Sequence, residues 1–252
     1  MISSENPAPP AVSVVVPVNN EADNLAPLIE EIEAALRGPR SYEIIIVDDG
    51  SSDGTGAVLD RLMPERPWLR LMRHDRVSGK SAALRSGVEA ARAPLIVMLD
   101  GDGQNNPADI PALIAALEQG GAAVGLVNSV RVGRKDTAFK RLQSRVANRI
   151  RAALLRDGTR DSVSGLKAFR REVFLSLPFF DGLHRFMPAL VRREGLALVQ
   201  VDVIDRPRRH GRSHYGMWNR LWVSMLDLAG VWWLIRRKKH KPVVTEVTRN
   251  AD

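Results

Sequence analysis

Two carboxylates stand two residues apart in Asp100-Gly101-Asp102-Gly103-Gln104, directly after the apolar run Leu95-Ile96-Val97-Met98-Leu99. Oxygen donors at this spacing suit a hard divalent cation, and Mg2+ is commonly held by one or two carboxylates together with the phosphate oxygens of a substrate. The chemistry this points to is the handling of a diphosphate. A plain turn competes with it, because Asp and Gly dominate turns for reasons of backbone geometry. The apolar run has the length of a buried strand. Side chains alternate along extended chain, so Asp100, Asp102 and Gln104 are expected to point the same way at the strand's C-terminal end.

The elements that would position these groups are legible on both sides. Val12 to Pro17 is a β-branched run, followed by a helical pattern from Leu25 to Leu36. Tyr42 to Val47 is a second strand and ends in the polar loop Asp48-Asp49-Gly50-Ser51-Ser52-Asp53-Gly54-Thr55. Ser52 or Asp53 can cap the helix that runs on to Met63. Leu69 to Met72 is a third strand; Ser78-Gly79-Lys80-Ser81 opens a helix through Ala91; helix 107–119 starts with Pro107 and stops at Gly120-Gly121; and Ala122 to Val127 is a further strand. Strands alternating with helices of this length predict a mostly parallel α/β sheet flanked by helices. Ligands of such sheets sit beyond the carboxyl ends of the strands. Asn19 to Glu21, Asp48 with Asp49, and Asp100 to Gln104 should therefore meet at one edge.

Two nucleotide motifs are excluded. Gly79-Lys80-Ser81 resembles the end of a P-loop, but the position of that pattern's first glycine is His74. Gly101-Asp102-Gly103-Gln104-Asn105-Asn106 lacks the third glycine of a dinucleotide fingerprint. Neither an ATPase nor a dehydrogenase is supported.

With 252 residues and no composition break, one core is expected. Residues 1–10 read as an unstructured leader without signal-peptide features, 11–216 as the catalytic domain, and 217–252 as an appended helix with a basic tail. No cysteine is present, which excludes disulfides and thiolate metal sites. The net charge of +8 is uneven: residues 1–100 hold 10 Lys+Arg against 15 Asp+Glu, and residues 101–252 hold 27 against 14. An acidic half suits a cation and a basic half an anion. The basic residues are not interleaved with aromatics as in a nucleic-acid module, and the strongest basic run follows a Trp-rich apolar segment. A membrane surface is expected as partner, and nucleic acid is not.

Six segments in register resemble family-2 glycosyltransferases of the GT-A fold, of the dolichyl- or polyprenyl-phosphate sugar transferase type. They are Val16-Pro17-Val18-Asn19-Asn20-Glu21, Val47 to Thr55, Gly79 to Leu84, Asp100 to Gln104, Asp161-Ser162-Val163-Ser164-Gly165, and Arg208-Arg209-His210-Gly211-Arg212-Ser213-His214-Tyr215. The resemblance implies that Pro17, Asn19, Glu21, Asp48 and Asp49 contact the nucleotide's base and ribose. Lys80 falls in the third matching segment and is taken with the donor-binding group. Asp100, Asp102 and Gln104 would hold Mg2+ or Mn2+ and the diphosphate. Arg131, Arg141 and Ser144, with Arg208 and Ser213, would hold an acceptor phosphate. The implied donor is a nucleotide sugar of the GDP-mannose or UDP-glucose type. Two positions depart from the family's pattern: Asn19 stands where tyrosine is usual, and His214 where lysine is usual.

Physical chemistry is consistent with these roles. Breaking a sugar–diphosphate bond builds negative charge that a cation stabilises, and arginines hold phosphate through bidentate contacts. A phosphate acceptor is already an anion and needs no base, whereas the alternative, a hydroxyl acceptor on a polysaccharide or glycolipid, needs a carboxylate base, for which Asp161 is the candidate. A non-catalytic nucleotide-sugar-binding scaffold at the membrane is the other alternative. Arg131, Arg141 and Ser144 also fit a solvated helix face, since 140–156 carries Lys and Arg at helical spacing. His74, His184 and His240 are read as structural or surface residues.

In the segment Trp218 to Ile235, the run from Leu221 is apolar apart from Ser224, Asp227 and Gly230, with Arg220, Ser224 and Asp227 as a narrow polar stripe. Fifteen residues make about 22 Å of helix, short of the roughly 30 Å hydrocarbon core. With Trp222, Trp232 and Trp233 beside Arg236-Arg237-Lys238-Lys239-His240-Lys241, it reads as an interfacial anchor at the cytosolic face, with a core or partner-binding helix as the alternative. A lipid acceptor would be met there, or with help from a separate membrane protein.

Overall fold

The computed structural model describes residues 9–38, 40–132, 151–207 and 217–237, the side chains of 217–224 excepted. Seven strands form one sheet: β1 (Val12–Val18), β2 (Tyr42–Asp48), β3 (Leu69–Arg73), β4 (Leu95–Met98), β5 (Val124–Val132), β6 (Lys167–Arg170) and β7 (Ala197–Ile204), in the order β3-β2-β1-β4-β6-β5-β7. β1 pairs in parallel with β2 and β4, β2 with β3, and β5 with β7, while β6 runs antiparallel between β4 and β5. A sheet covered on both faces requires continuous apolar strands rather than alternating ones, which is what Val14-Val15-Val16 and Ile44-Ile45-Ile46 supply.

One face is covered by helices α1 (Ala22–Leu36), α2 (Thr55–Leu62) and α4 (Ile110–Gln119), which pack Leu25, Ile29, Leu59 and Leu113 against Val14 and Val16. The other is covered by α3 (Lys80–Ala90) and the helices Arg171–Ser176 and Leu183–Arg193, which pack Leu84, Phe174 and Met187 against Val15 and Ile45. Helix α3 lies close on the sheet, because a Cβ on Gly87 would come within 2.4 Å of Val15 Cγ1. Any larger residue there would lift the helix that carries Lys80.

The sequence expectations need four adjustments. The strand expected at Ala122 to Val127 starts after a 3-10 turn and extends to Val132, which puts Arg131 on a strand rather than on a helix face. α2 follows Gly54, and Asp53 accepts hydrogen bonds from Thr55 N (2.9 Å) and Ala22 N (3.2 Å), so one carboxylate holds the starts of two helices. Pro107 opens a 3-10 turn ahead of α4, with Asn106 Oδ1 accepting from Ala108 N. Lastly, the chain does not stay extended through Asp100 to Gln104: β4 ends at Met98, and 101–103 turn, with Gly103 at φ +72°. Alternation therefore does not set the directions of Asp100, Asp102 and Gln104.

The helix Met217–Arg236 is 20 residues long, longer than the apolar run suggested, so length alone does not separate it from a spanning helix. Its packing does. Leu228, Val231, Leu234 and Ile235 lie against the second core cluster, and Arg193 Nε donates to Leu234 O. Asp227, of the narrow polar stripe, faces the start of helix Leu183–Arg193 beside Gly182 and Arg185. Burial and the neighbouring Asp181 raise its carboxyl above the ordinary value, with Arg185 opposing. No helix among the described residues is long and apolar enough to cross a membrane.

Candidate active site

Parallel register brings the expected groups to one edge. Val18 is the partner of Asp48, and Asp49 N donates to Val18 O at 2.8 Å, so the ends of β1 and β2 are locked side by side. The loops beyond them are laced together. Asn19 Nδ2 donates to Asp49 O (2.7 Å), Asn20 Oδ1 accepts from Ser52 N (2.8 Å), and Glu21 N donates to Thr55 Oγ1 (3.1 Å). Asn20 adopts φ +58°, a left-handed conformation that asparagine tolerates better than most residues. Pro17 is the partly exposed position of β1, between the buried Val16 and Val18. Asp48 Oδ1 accepts from Ser51 N (2.9 Å), its Oδ2 lies 3.5 Å from Arg73 Nε, and both residues line an open cleft of about 500 Å³ with Ser51, Asp53 and His74.

Asp49 is differently employed from Asp48. Its Oδ1 accepts from Ser78 N (2.8 Å) and contacts His74 Nδ1 (2.8 Å), while its Oδ2 accepts from Gly79 N (2.8 Å). Both oxygens are committed to the loop that delivers Lys80, whereas Asp48 lines the cleft. Gly79 sits at φ +91°, a conformation that L side chains rarely adopt, and Lys80 follows as the first residue of α3. His74 is structural, bridging Asp49 and Ser86. His184 is half-buried, with Nδ1 2.8 Å from Ser81 Oγ, and desolvation, followed by Lys80, holds its imidazole well below the ordinary pKa.

At the centre, Lys80 Nζ donates to Asp100 Oδ1. The other oxygen, Oδ2, is pressed against Gly165: a Cβ there would lie 2.3 Å from Oδ2 and 2.6 Å from Asn105 Oδ1. Asn105 Oδ1 in turn accepts from Asp100 N (3.3 Å). Burial works against ionisation of Asp100, yet Lys80, then Lys167 and Arg131, hold its carboxyl below the usual carboxylate range. Asp102 is the more enclosed residue, 8% exposed, and its Oδ1 accepts from Gln104 N (3.1 Å), closing the turn. Gln104 O accepts from Arg206 N (2.8 Å), and the Arg206 guanidinium reaches Glu31 (2.5 Å) and Asn106.

Asp161 and Arg131 form a bidentate pair: Nε to Oδ2 at 2.6 Å and Nη2 to Oδ1 at 2.9 Å, with Val163 N also donating to Oδ1 and Asp205 3.7 Å from Arg131 Nη1. Burial opposes the charge on both, and the pairing overrides it, raising Arg131 and lowering Asp161. A carboxylate held this way is a poor proton acceptor. Lys167, which the sequence reading passed over, is fully buried at the head of β6 and donates to Ser164 O. Burial and the nearby Lys80 push its ammonium down to about 7, against the pull of Asp100 and Asp161. The available signal was a lysine inside the apolar stretch Leu166-Lys167-Ala168-Phe169. Arg141, Ser144, Arg208 and Ser213 lie outside the described residues.

No cluster of three or more His, Asp or Glu side chains among the described residues makes a metal cage. Mg2+ is usually held by one or two carboxylates and completed by diphosphate and water. Asp100 and Asp102 are oxygen donors of the right kind for it.

The model of the family described as "Glycosyl transferase family 2" matches residues 13–177, which include the β1, β2 and β4 edge and the Asp161–Gly165 loop. The chain belongs to glycosyl transferase family 2. Among curated members, it is 33% identical over 232 residues to the dodecaprenyl-phosphate galacturonate synthase of Rhizobium johnstonii, covering 90% of this chain and 68% of that protein. It is 34% identical over 213 residues to the undecaprenyl-phosphate 4-deoxy-4-formamido-L-arabinose transferase of Edwardsiella ictaluri, covering 82% of this chain and 63% of that protein. The chain thus spans about two-thirds of the length of these curated relatives. Glucosyl-3-phosphoglycerate synthase from Mycobacterium tuberculosis, solved in complex with UDP, superposes with a TM-score of 0.67 at 24% identity, covering 90% of this chain and 80% of that one. A structure of the same enzyme with Mn2+, UDP and glucosyl-3-phosphoglycerate gives the same TM-score. This likeness speaks to fold: the family-2 domain here is a GT-A fold, an α/β sheet flanked by helices.

Proposed function

We propose that this family-2 glycosyltransferase moves one sugar from a nucleotide diphosphate sugar to a polyprenyl phosphate, with inversion, at the cytosolic membrane surface. The observation that carries the reading is the charge arrangement: Asp100 lies within electrostatic reach of Lys80, Lys167 and Arg131, while Asp161 is bound on both oxygens. Such a site is equipped to gather anions rather than to remove a proton. A phosphate acceptor attacks the anomeric carbon through an oxygen that is already ionised, the carbon–oxygen bond to the diphosphate breaks, and the electron pair leaves with the diphosphate. No base is needed. The hydroxyl-acceptor alternative needs one, and Asp161, the candidate for it, is occupied by Arg131.

Asp48, Asn19 and Glu21 line the donor's nucleotide end, and Lys80 and Gln104 its diphosphate. Asp100 and Asp102 would hold Mg2+ or Mn2+, which when bound acts as a Lewis acid on the departing diphosphate. Arg131, with Nε and Nη2 on Asp161 and Nη1 facing Asp205, would act on the acceptor phosphate through its charge. The two curated relatives are named for transfer to dodecaprenyl and undecaprenyl phosphate, which supports the acceptor class.

The membrane contact is assigned to the helix Met217–Arg236. At 100° per residue, Trp232, Met225, Arg236, Trp233, Leu226 and Arg237 fall on an arc of roughly 140°, opposite the face packed on the domain. Met225 is 57% exposed, Leu226 60%, Trp232 36% and Trp233 55%. Arg236 stacks on Trp232 with its guanidinium carbon 3.8 Å from the ring centroid, and Arg237 approaches Trp233 at 5.8 Å. Exposed indoles carrying guanidinium groups match a headgroup layer with anionic lipids. The test incubates the purified chain with labelled UDP- and GDP-sugars, Mn2+, and undecaprenyl phosphate in phosphatidylglycerol vesicles. A labelled lipid phosphate sugar is expected. Label appearing only on hydroxyl-bearing lipids, or only as free sugar, would refute the acceptor assignment. In the same preparation, W232A/W233A should lose at least tenfold in vesicle flotation, and unchanged flotation would remove the anchor.

A further inference from the structure

Lys80 stands where the bound cation would have to act. The residues on either side of it are held: Asp49 accepts from Ser78 N and Gly79 N, and Ser81 Oγ is bonded to the half-buried His184. Only the side chain can move, and it is about a third exposed. Its ammonium meets Asp100 at Oδ1, while Gly165 presses on Oδ2. One carboxylate oxygen is therefore open to a ligand, and a cation of the chain already occupies it.

We propose that Lys80 is an internal stand-in for the metal ion, and that the donor's diphosphate, by drawing the ammonium off Asp100, opens that oxygen to the cation. The proposal rests on the reading of Asp100 and Asp102 as the cation's carboxylates. Electrostatics gives the exchange its direction. Lys80 is repelled by the buried Lys167, and Asp100 is the attraction that holds it in place. A divalent ion on Asp100 adds a second repulsion, so the ammonium has to leave, and a diphosphate on the same edge is the anion that can receive it. Metal and nucleotide then bind together rather than in either order, and the site keeps free divalent ions out until a donor is present. Lys80 is a positioning residue in this scheme: it exchanges one anion for another and no covalent bond changes.

The experiment measures Mn2+ binding to the full chain, by the loss of the free Mn2+ resonance, with no nucleotide and with UDP or GDP, for the unaltered protein, K80M and K80Q. The unaltered protein should bind Mn2+ at least tenfold more tightly with nucleotide. K80M and K80Q should bind it at least tenfold more tightly than the unaltered protein without nucleotide, and should gain less from adding one. Variants that melt like the unaltered protein yet bind Mn2+ no better without nucleotide would overturn the proposal. Failure of nucleotide to tighten Mn2+ binding to the unaltered protein would overturn it without any variant. If no form retains Mn2+ under any condition, the cation site itself falls, and that result is distinct from equal binding by all three.

Discussion

Gly165→Ala tests the centre of the site through one methyl group. The new Cβ would sit 2.3 Å from Asp100 Oδ2, 2.4 Å from its Cγ and 2.6 Å from Asn105 Oδ1, all inside van der Waals contact. Asp100 is too short to move only its tip, so the carboxylate has to swing, and Asn105, which accepts from Asp100 N, has to follow. Overpacking of this kind costs about 1–3 kcal/mol, toward the lower end where the clashing atoms are side-chain ends that can turn. For a domain of this size that is a fall in Tm of roughly 2–12 °C, toward the smaller value. The effect on turnover should be larger, because a displacement of about 1 Å at a reacting centre can cost on the order of 100-fold. The assay pairs a thermal melt with metal-dependent sugar transfer at saturating donor. A folded G165A protein transferring within threefold of the unaltered rate would refute the claim that Asp100 works from the position Gly165 imposes.

Other expectations concern neighbouring groups. Asp102→Ala should lower metal-dependent transfer more than Asp100→Ala, since it loses a cation ligand and the acceptor for Gln104 N that closes the turn; equal activity to the unaltered protein would remove the site. Asp161→Asn should stay within about tenfold of normal activity with a polyprenyl phosphate acceptor, because the amide keeps an acceptor for Arg131 and no proton is removed; loss of turnover with donor binding intact would favour a base and a hydroxyl acceptor. Lys167 sets a pH dependence of stability. Its folded pKa of about 7 lies below its ordinary 10.5, so between these values the unfolded chain holds more protons and stability should rise with pH. The penalty is full below about 7 and is relieved toward 10.5. Urea unfolding of the unaltered protein and K167M across this range should show the difference narrowing or reversing as pH rises; a constant difference would contradict the burial of a charged lysine.

The reach of the sequence can be traced element by element. β1, β2 and β4 are legible because a strand buried on both faces must be an unbroken apolar run, and the turn residues after each mark its end. The ligand edge follows from parallel pairing alone, which is why Asn19, Asp48 and Asp100 could be placed together across 81 positions of chain. β6 is different. It has four residues with a charge at each end, and its place between β4 and β5 is decided by pairing on both sides rather than by its own composition. The helix Leu183–Arg193 carries Pro188 in its interior, which argues against a helix locally and is tolerated because its buried face fills the second core cluster.

The candidate site shows the same divide at the level of single residues. Carboxylates at Asp48, Asp49, Asp100 and Asp161 look equivalent in sequence, each within two residues of a glycine or serine. Their partners make them different. Asp49 is bound to the 78–79 loop, Asp161 to Arg131 thirty residues earlier, Asp100 to Lys80, and Asp48 keeps one side toward the cleft. Which carboxylate can bind a ligand is thus decided by which cation the fold has already given it, and that information is tertiary. The same holds for the cations: Arg131 is oriented because two acids flank it, Lys80 pairs with Asp100 at the end of a partly exposed side chain, and Lys167 is costly because its nearest partner is a neutral carbonyl. A site read as a list of residue types hides these pairings; in the fold, the partner each acid and each cation already has decides what it can still bind.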